Sequence, residues 1–250
     1  MKKILFAATL IAAFSVFAMG ANVQKTAKEA GQAGLRGSQI SLSSPHACSV
    51  EKSHPCVYYG GDINASDPEE NGLSNENTGF ISNSYTYTEV KVPVSASVTA
   101  AFSNNLSTYG VIDPKTALSD WRSGVSEGNG GTDLCSGDNE AEITATGRNA
   151  FGYNEYEVLT LSPCRLTPGN TWISVVPNCT NLNDGDCTNS PRFFVSDTNG
   201  PNAINGSFTI NSNTGLGPTF NSSFFGITFG SWCNDLGVAC GDGISLGVLR

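Results

Sequence analysis

The chain has 250 residues, of which 39% are hydrophobic and 14% charged. That is enough apolar material for a core and too much for a disordered chain. Its 13 basic residues face 22 acidic ones; setting aside Lys2 and Lys3, which lie in an expected signal segment, the imbalance excludes a nucleic-acid or anionic-membrane surface built on clustered Lys and Arg.

Met1-Lys2-Lys3, the apolar run from Ile4 to Phe17 and the small residues Ala18, Gly20 and Ala21 follow the order of a secretory signal peptide. The run is shorter than the roughly 20 residues that cross a bilayer. Residues 1–21 are therefore expected to be removed, with cleavage after Ala18, Gly20 or Ala21. Residues 22–47 have little apolar periodicity and read as a flexible leader. Residues 48–250 are expected to form a single domain, with no later membrane span and no hydrophobic tail after Ile244. The expected location is outside the cytoplasm, extracellular or periplasmic, in a bacterium.

The 28 glycines and the abundant Asn, Ser and Thr favour turns and strands over helices. Residues 48–77 form a Cys-clipped, turn-rich start. Ser84 to Val92 is rich in β-branched and aromatic residues, and Val94, Ala96, Val98, Ala100 and Phe102 then alternate with polar residues, the period of a half-buried strand. Pro114 to Arg122 is expected to hold a helical turn. Further strands are predicted at Ala141 to Thr146, Glu155 to Leu161, Thr171 to Val176, Arg192 to Ser196, Phe224 to Phe229 and Ile244 to Leu249. Turn chemistry separates them, as in Gly-Asn-Gly-Gly and Pro-Gly-Asn. The pattern predicts an all-β, antiparallel β-sandwich of jelly-roll type.

Eight cysteines, Cys48, Cys56, Cys135, Cys164, Cys179, Cys187, Cys233 and Cys240, in an oxidising compartment predict four disulfides. Sequence neighbours pair Cys48 with Cys56, Cys179 with Cys187 and Cys233 with Cys240, which leaves Cys135 with Cys164 across a hairpin. The two histidines, His46 and His54, stand in two His-x-Cys triplets that could hold zinc; a disulfide between Cys48 and Cys56 is the expected alternative.

No serine-hydrolase elbow, zinc-protease helix or phosphate-binding loop motif is present. Glu155 and Glu157 share a strand face about 7 Å apart, within the range two carboxylates need for glycoside hydrolysis, although alternating acids on a solvent face have the same spacing. Asp62, Asn64 and Asp67, and Asn183, Asp184 and Asp186, gather hard oxygen ligands in loops suited to calcium, or to Asx turns without a metal. Tyr85 and Tyr87 share a strand face and, with Trp121, Trp172 and Trp232, supply aromatics for a sugar-stacking platform or for a core.

The series Trp121-Arg-Ser-Gly-Val-Ser-Glu-Gly-Asn-Gly-Gly131, Thr146-Gly-Arg148, Phe151-Gly-Tyr-Asn-Glu-Tyr156 and Leu166-Thr-Pro-Gly-Asn-Thr-Trp172 resembles a family of secreted bacterial β-sandwich proteins of uncharacterised activity, some ending in exosortase-type sorting tags. Coverage runs from about Val92 to Phe229. The resemblance implies a secreted β-sandwich and brings no catalytic residues with it. The chain departs from the family in its cysteines and in lacking a sorting tail, which favours free release or periplasmic residence.

The function expected from these observations is a non-catalytic extracellular module that binds carbohydrate or matrix. The alternatives are a carboxylate-dependent glycan hydrolase or lyase using Glu155 and Glu157, and a structural component of an extracellular layer or filament. Calcium is the one cofactor the loops leave open.

Overall fold

The computed structural model describes residues 48, 56–64, 71–79, 81–107, 114–179, 192–198, 204–205, 207–210, 215–237 and 243–250. Their strands are β1 (Cys56–Tyr59), β2 (Gly72–Ser74), β3 (Asn77–Thr78), β4 (Ser84–Val92), β5 (Ala96–Ser107), β6 (Thr116–Ser123), β7 (Thr132–Ala150) and β8 (Tyr153–Leu166). There follow β9 (Gly169–Cys179), β10 (Phe193–Thr198), β11 (Ile204–Asn205), β12 (Thr209–Ile210), β13 (Thr219–Ser222), β14 (Ile227–Ser231), β15 (Gly243–Ile244) and β16 (Leu246–Leu249). One helical turn, α1 (Trp232–Leu236), is capped by Ser231, whose side chain accepts from the Asn234 amide. The protein is all-β, and its strands pair antiparallel except β3 with β9.

Hydrogen bonding joins the strands in the order β11-β1-β16-β5-β8-β7-β6-β9-β4-β13-β14. The long strand β7 makes the corner: Thr132 to Glu140 pairs with β6, and Ala141 to Ala150 pairs with β8. Two layers result, β1-β16-β5-β8 with the second half of β7, and β6-β9-β4 with the first half. The pairings are nested, β6 with β7, β5 with β8 and β4 with β9.

Alternation along each strand sends one set of side chains between the layers. Val90 and Val92 of β4, Val98 and Ala101 of β5, Trp121 of β6, Val158 and Leu166 of β8, and Ile173 and Val175 of β9 meet there in one core. Polar bonds cross the same space: Trp121 Nε1 donates to Ser162 Oγ at 2.5 Å, and Ser103 Oγ donates to the Val175 carbonyl at 2.7 Å. Bonding of this kind lets buried polar groups remain among apolar neighbours.

Two disulfides, Cys48–Cys56 and Cys135–Cys164, are as expected, so the Cys48 and Cys56 thiolates are not zinc ligands. Cys179 and Cys233 are also disulfide-bonded. Their expected partners Cys187 and Cys240, like His46 and His54, lie outside the described residues, as do the signal and leader. Among the described residues no helix is long and apolar enough to cross a membrane.

Two expected elements are corrected. Pro114 to Arg122 holds no helical turn, because Thr116 to Ser123 is β6, with Ala117 and Trp121 alternating into the core. The strand expected at Phe224 to Phe229 is a turn over 223–226, with Gly226 at φ 71°, followed by β14. Phe224 there stands partly in solvent.

Candidate functional site

The outer face of the β4-β9-β6-β7 layer carries the side chains that alternate away from the core. On β4 these are Tyr85 and Tyr87, on β9 Trp172, Ser174 and Asn178, and on β6 Asp120 and Arg122. Register sets Asp120 opposite Ser174 on one side and Ser136 on the other, with Arg122 opposite Trp172.

The result is a cluster around the Asp120 carboxylate. Tyr87 Oη donates to Asp120 Oδ2 at 2.7 Å, and Arg122 Nε donates to the same oxygen at 2.8 Å. Ser136 Oγ lies 2.8 Å from Asp120 Oδ1 and 2.9 Å from Asp133 Oδ1, with one hydrogen to share between them. Burial and then Asp120 hold the Tyr87 hydroxyl well above its ordinary range.

A strained aromatic roofs this cluster. Phe229 has φ 44°, in the left-handed region that a bulky residue rarely adopts. Its ring lies 5.5 Å from that of Tyr87, with the Arg122 guanidinium 5.2 Å from its centroid. The Gly-Asn-Gly-Gly loop serves this packing: a Cβ on Gly130 would stand 2.3 Å from the Phe229 ring, and Gly131 turns at φ 61°. Trp172 is buried with Val125, Leu216 and Phe229.

Beside the roof the face is open. Tyr85 is half-buried, and its hydroxyl donates to Asn83 Oδ1 at 2.8 Å. The Asn83 backbone N–H donates to Asn77 Oδ1, Asn77 Nδ2 to Asn178 Oδ1, and Asn178 Nδ2 to Asp138 Oδ2 at 2.7 Å. Asn83 and Asp138 are exposed and Asn77 and Asn178 partly so, which leaves a run of planar polar groups next to an accessible ring. The Tyr85 hydroxyl is raised by partial burial first, then by Asp120 and Asp138.

The other residues singled out in the sequence lie elsewhere. Trp121 and Trp232 are in the core, where the Trp232 ring packs tilted against Phe220, centroids 4.3 Å apart, and donates from Nε1 to Thr86 Oγ1. With Tyr87 and Trp172 also buried, Tyr85 is the one member of the expected aromatic platform that keeps a solvent-facing surface. Alternation carried Trp121 inward, and the Phe229 roof removed Tyr87 and Trp172 from solvent.

Glu155 and Glu157 do share a face of β8, but both are buried. Arg148 Nε donates to Glu155 Oε2 at 2.5 Å and Thr146 Oγ1 donates to it at 2.8 Å, while Arg148 Nη1 reaches Asp62 Oδ1 at 3.0 Å. Burial pushes the Glu155 carboxyl up, with Arg148 and Thr146 opposing. A buried carboxylate held by an arginine presents no general acid to a substrate in solution.

Asp62 likewise does not fit a calcium site, because it is buried and the Arg148 guanidinium and the Tyr59 hydroxyl both already bond its Oδ1. Asn64 is described and partly buried; Asp67, Asn183, Asp184 and Asp186 lie outside the described residues. Among the described residues no three acidic, His or Cys side chains are placed to hold a metal.

Asp120, Arg122, Asn77, Asn83, Asp138 and Asn178 went unread as site residues. They sit on separate strands and meet only through register, which one sequence does not display. No family model, curated protein or solved structure matches the chain.

Proposed function

We propose that the protein is a secreted, non-catalytic extracellular module, wound as a jelly roll, that binds polysaccharide or matrix glycan on the outer face of β4, β9, β6 and β7. The observation that carries this reading is the half-exposed Tyr85 ring beside the Asn83, Asn77, Asn178 and Asp138 run. A sugar ring offers an apolar face suited to stacking on an aromatic and hydroxyls that need both donors and acceptors. Amides supply both, and Asp138 adds a charged acceptor. The Asp120 cluster beneath holds the neighbouring strands in place, so little ordering entropy is lost on binding.

Retention on a panel of immobilised polysaccharides tests the reading. At least one should retain the chain, and Tyr85→Ala should weaken that binding about three- to tenfold, the loss of one aromatic contact of about 0.5–1.5 kcal/mol. Phe224→Ala, which alters an exposed ring in the β13–β14 turn, should leave binding unchanged. Absence of retention on every polysaccharide sinks the proposal.

A further inference from the structure

The glycan face does not end at Asp138. Alternation along β7 puts Asp138, Glu140 and Glu142 on one side of the strand, all exposed, with Asn139 and Ala141 partly buried on the other. In steps of about 7 Å, this side of β7 runs from its pairing with β6 into its pairing with β8, round the corner between the layers. Asn178, a member of the polar run, pairs with Thr116, and Thr116 pairs with Glu140. Register therefore makes the glycan face continuous with the corner.

Two grooves lie along this path and share Glu140 and Ala141. One, of about 460 Å³, is also lined by Pro114, Lys115, Thr116 and Ile143. The other, of about 500 Å³, has Glu142, Ala100, Leu159 and Leu161 among its further lining. Leu161 is 67% exposed, the most exposed large apolar side chain among the described residues. From Tyr85 on β4 to Leu161 on β8 the path crosses β9, β6 and β7. At about 4.8 Å between strands it is ~20 Å long, too long for one sugar ring and suited to a chain of several.

Its chemistry is one-sided. The two ends, the Tyr85 ring and Leu161, offer apolar surface of the kind that the C–H face of a sugar ring covers. Between them stand the carboxylates of Asp138, Glu140 and Glu142, against Lys115 as the one basic residue among the described residues lining either groove. The whole chain repeats that imbalance, with 22 acidic and 13 basic residues. A uronate or sulfated polymer is repelled along such a path, and a neutral one leaves the carboxylates without a counter-charge. Ammonium groups on the sugar rings supply the complement.

We infer that the polysaccharide bound is cationic, an amino-sugar polymer with free amines, laid from Tyr85 across Asp138 and Glu140 into the groove of Glu142 and Leu161. The inference rests on the glycan reading; it adds the class of ligand and the stretch of surface that the ligand engages.

The test titrates the protein with a glucosamine hexamer and with the same hexamer fully N-acetylated, at about pH 5.5, where exposed carboxyls are ionised and the amines protonated. Acetylation removes the charge and keeps the ring. The free-amine hexamer should bind about tenfold more tightly, and Glu140→Gln with Glu142→Gln should remove most of that preference. Glu127→Gln alters an exposed carboxylate that lines neither groove and should leave the preference intact. Leu161→Ala should weaken the free-amine hexamer about threefold, the loss of one apolar contact. Equal binding of the two hexamers overturns the inference, as does a preference that the paired glutamine variant retains; retention on a neutral or uronate polysaccharide would then leave the glycan reading standing without it. A lysine hexamer that binds as tightly as the amino sugar also overturns it and makes the occupant a basic peptide. Failure to bind any polysaccharide, charged or neutral, sinks both readings together.

Discussion

An arginine held by carboxylates sits on the outer face of each layer, and the two clusters differ in what covers them. Around Arg148 nothing reaches water: its side chain, Asp62 and Glu155 are buried, and Tyr59, Thr146 and Asn104 close the network. Around Arg122 the arginine side chain is 23% exposed, and exposed Asp133 and Ser136 extend the cluster to the surface. Similar groups serve different ends because cover decides the cost of separating them. A sealed ion pair fixes geometry and resists loss of a partner, while an open one can exchange protein contacts for water or ligand.

The largest expected effect comes from removing the sealed arginine. Arg148→Met leaves Glu155 and Asp62 buried without their cation and should cost about 3–5 kcal/mol in chemical denaturation. A loss below about 1 kcal/mol would show that water already enters this network and would erase its contrast with Arg122.

The disulfides extend the comparison, because Cys135–Cys164 ties β7 to β8 near the corner between layers, while Cys48–Cys56 clips the chain over one outer face. Their sequence separations are 29 and 8 residues. Chain entropy then assigns about 3.6 kcal/mol to the longer loop and about 2.5 kcal/mol to the shorter. Paired Cys→Ser variants, compared by denaturant midpoint, should preserve that order. Reversal would mean that the clip contributes through its packing on Phe102 and Leu159 more than through the loop it closes.

These contrasts also explain what could be read from the sequence. The all-β class, the two disulfides seen in full and the strands at Ser84 to Val92 and Thr171 to Val176 were legible, because alternation and cysteine spacing are local signals. The site was only partly so. Tyr85 and Tyr87 look equivalent two residues apart, and what separates them is Phe229, more than 140 positions away, packing on Tyr87. Glu155 and Glu157 look like solvent acids until the chain around Asp62 covers them. β6 was missed because Pro114 and Lys115 lead into it and its polar Ser119 and Asp120 disguise the inward alternation. Cover and register come from distant segments, so local pattern cannot supply them.

On the open side, Arg122→Met should cost only about 1 kcal/mol. Asp120 keeps its bonds from Tyr87 and Ser136, and water can take the place of the partly exposed Arg122 side chain. The same variant removes the cation over Phe229, so a loss of 3 kcal/mol or more in the denaturation curve would show that the strained Phe229 depends on Arg122 and that this cluster is as structural as the sealed one.

The smallest expected effect is a pH slope that belongs to the sealed cluster and to the buried Glu76–Arg192 pair. Burial pushes both Glu155 and Glu76 up from their ordinary value near 4.5, with Arg148 and Arg192 pulling only part of the way back. A carboxyl raised in the folded state binds more protons there than in the unfolded chain. Its contribution is complete below the unfolded value and is lost as pH rises through the folded one. Stability measured by denaturant midpoint should therefore decline slightly from pH 5 toward neutrality, by about 1 kcal/mol or less per group. Glu155→Gln and Glu76→Gln should each flatten the slope, whereas Tyr85→Phe should not, because its hydroxyl is raised from an already alkaline value. A slope of the opposite sign would mean that Arg148 outweighs desolvation at Glu155, making the sealed pair a net source of stability at neutral pH.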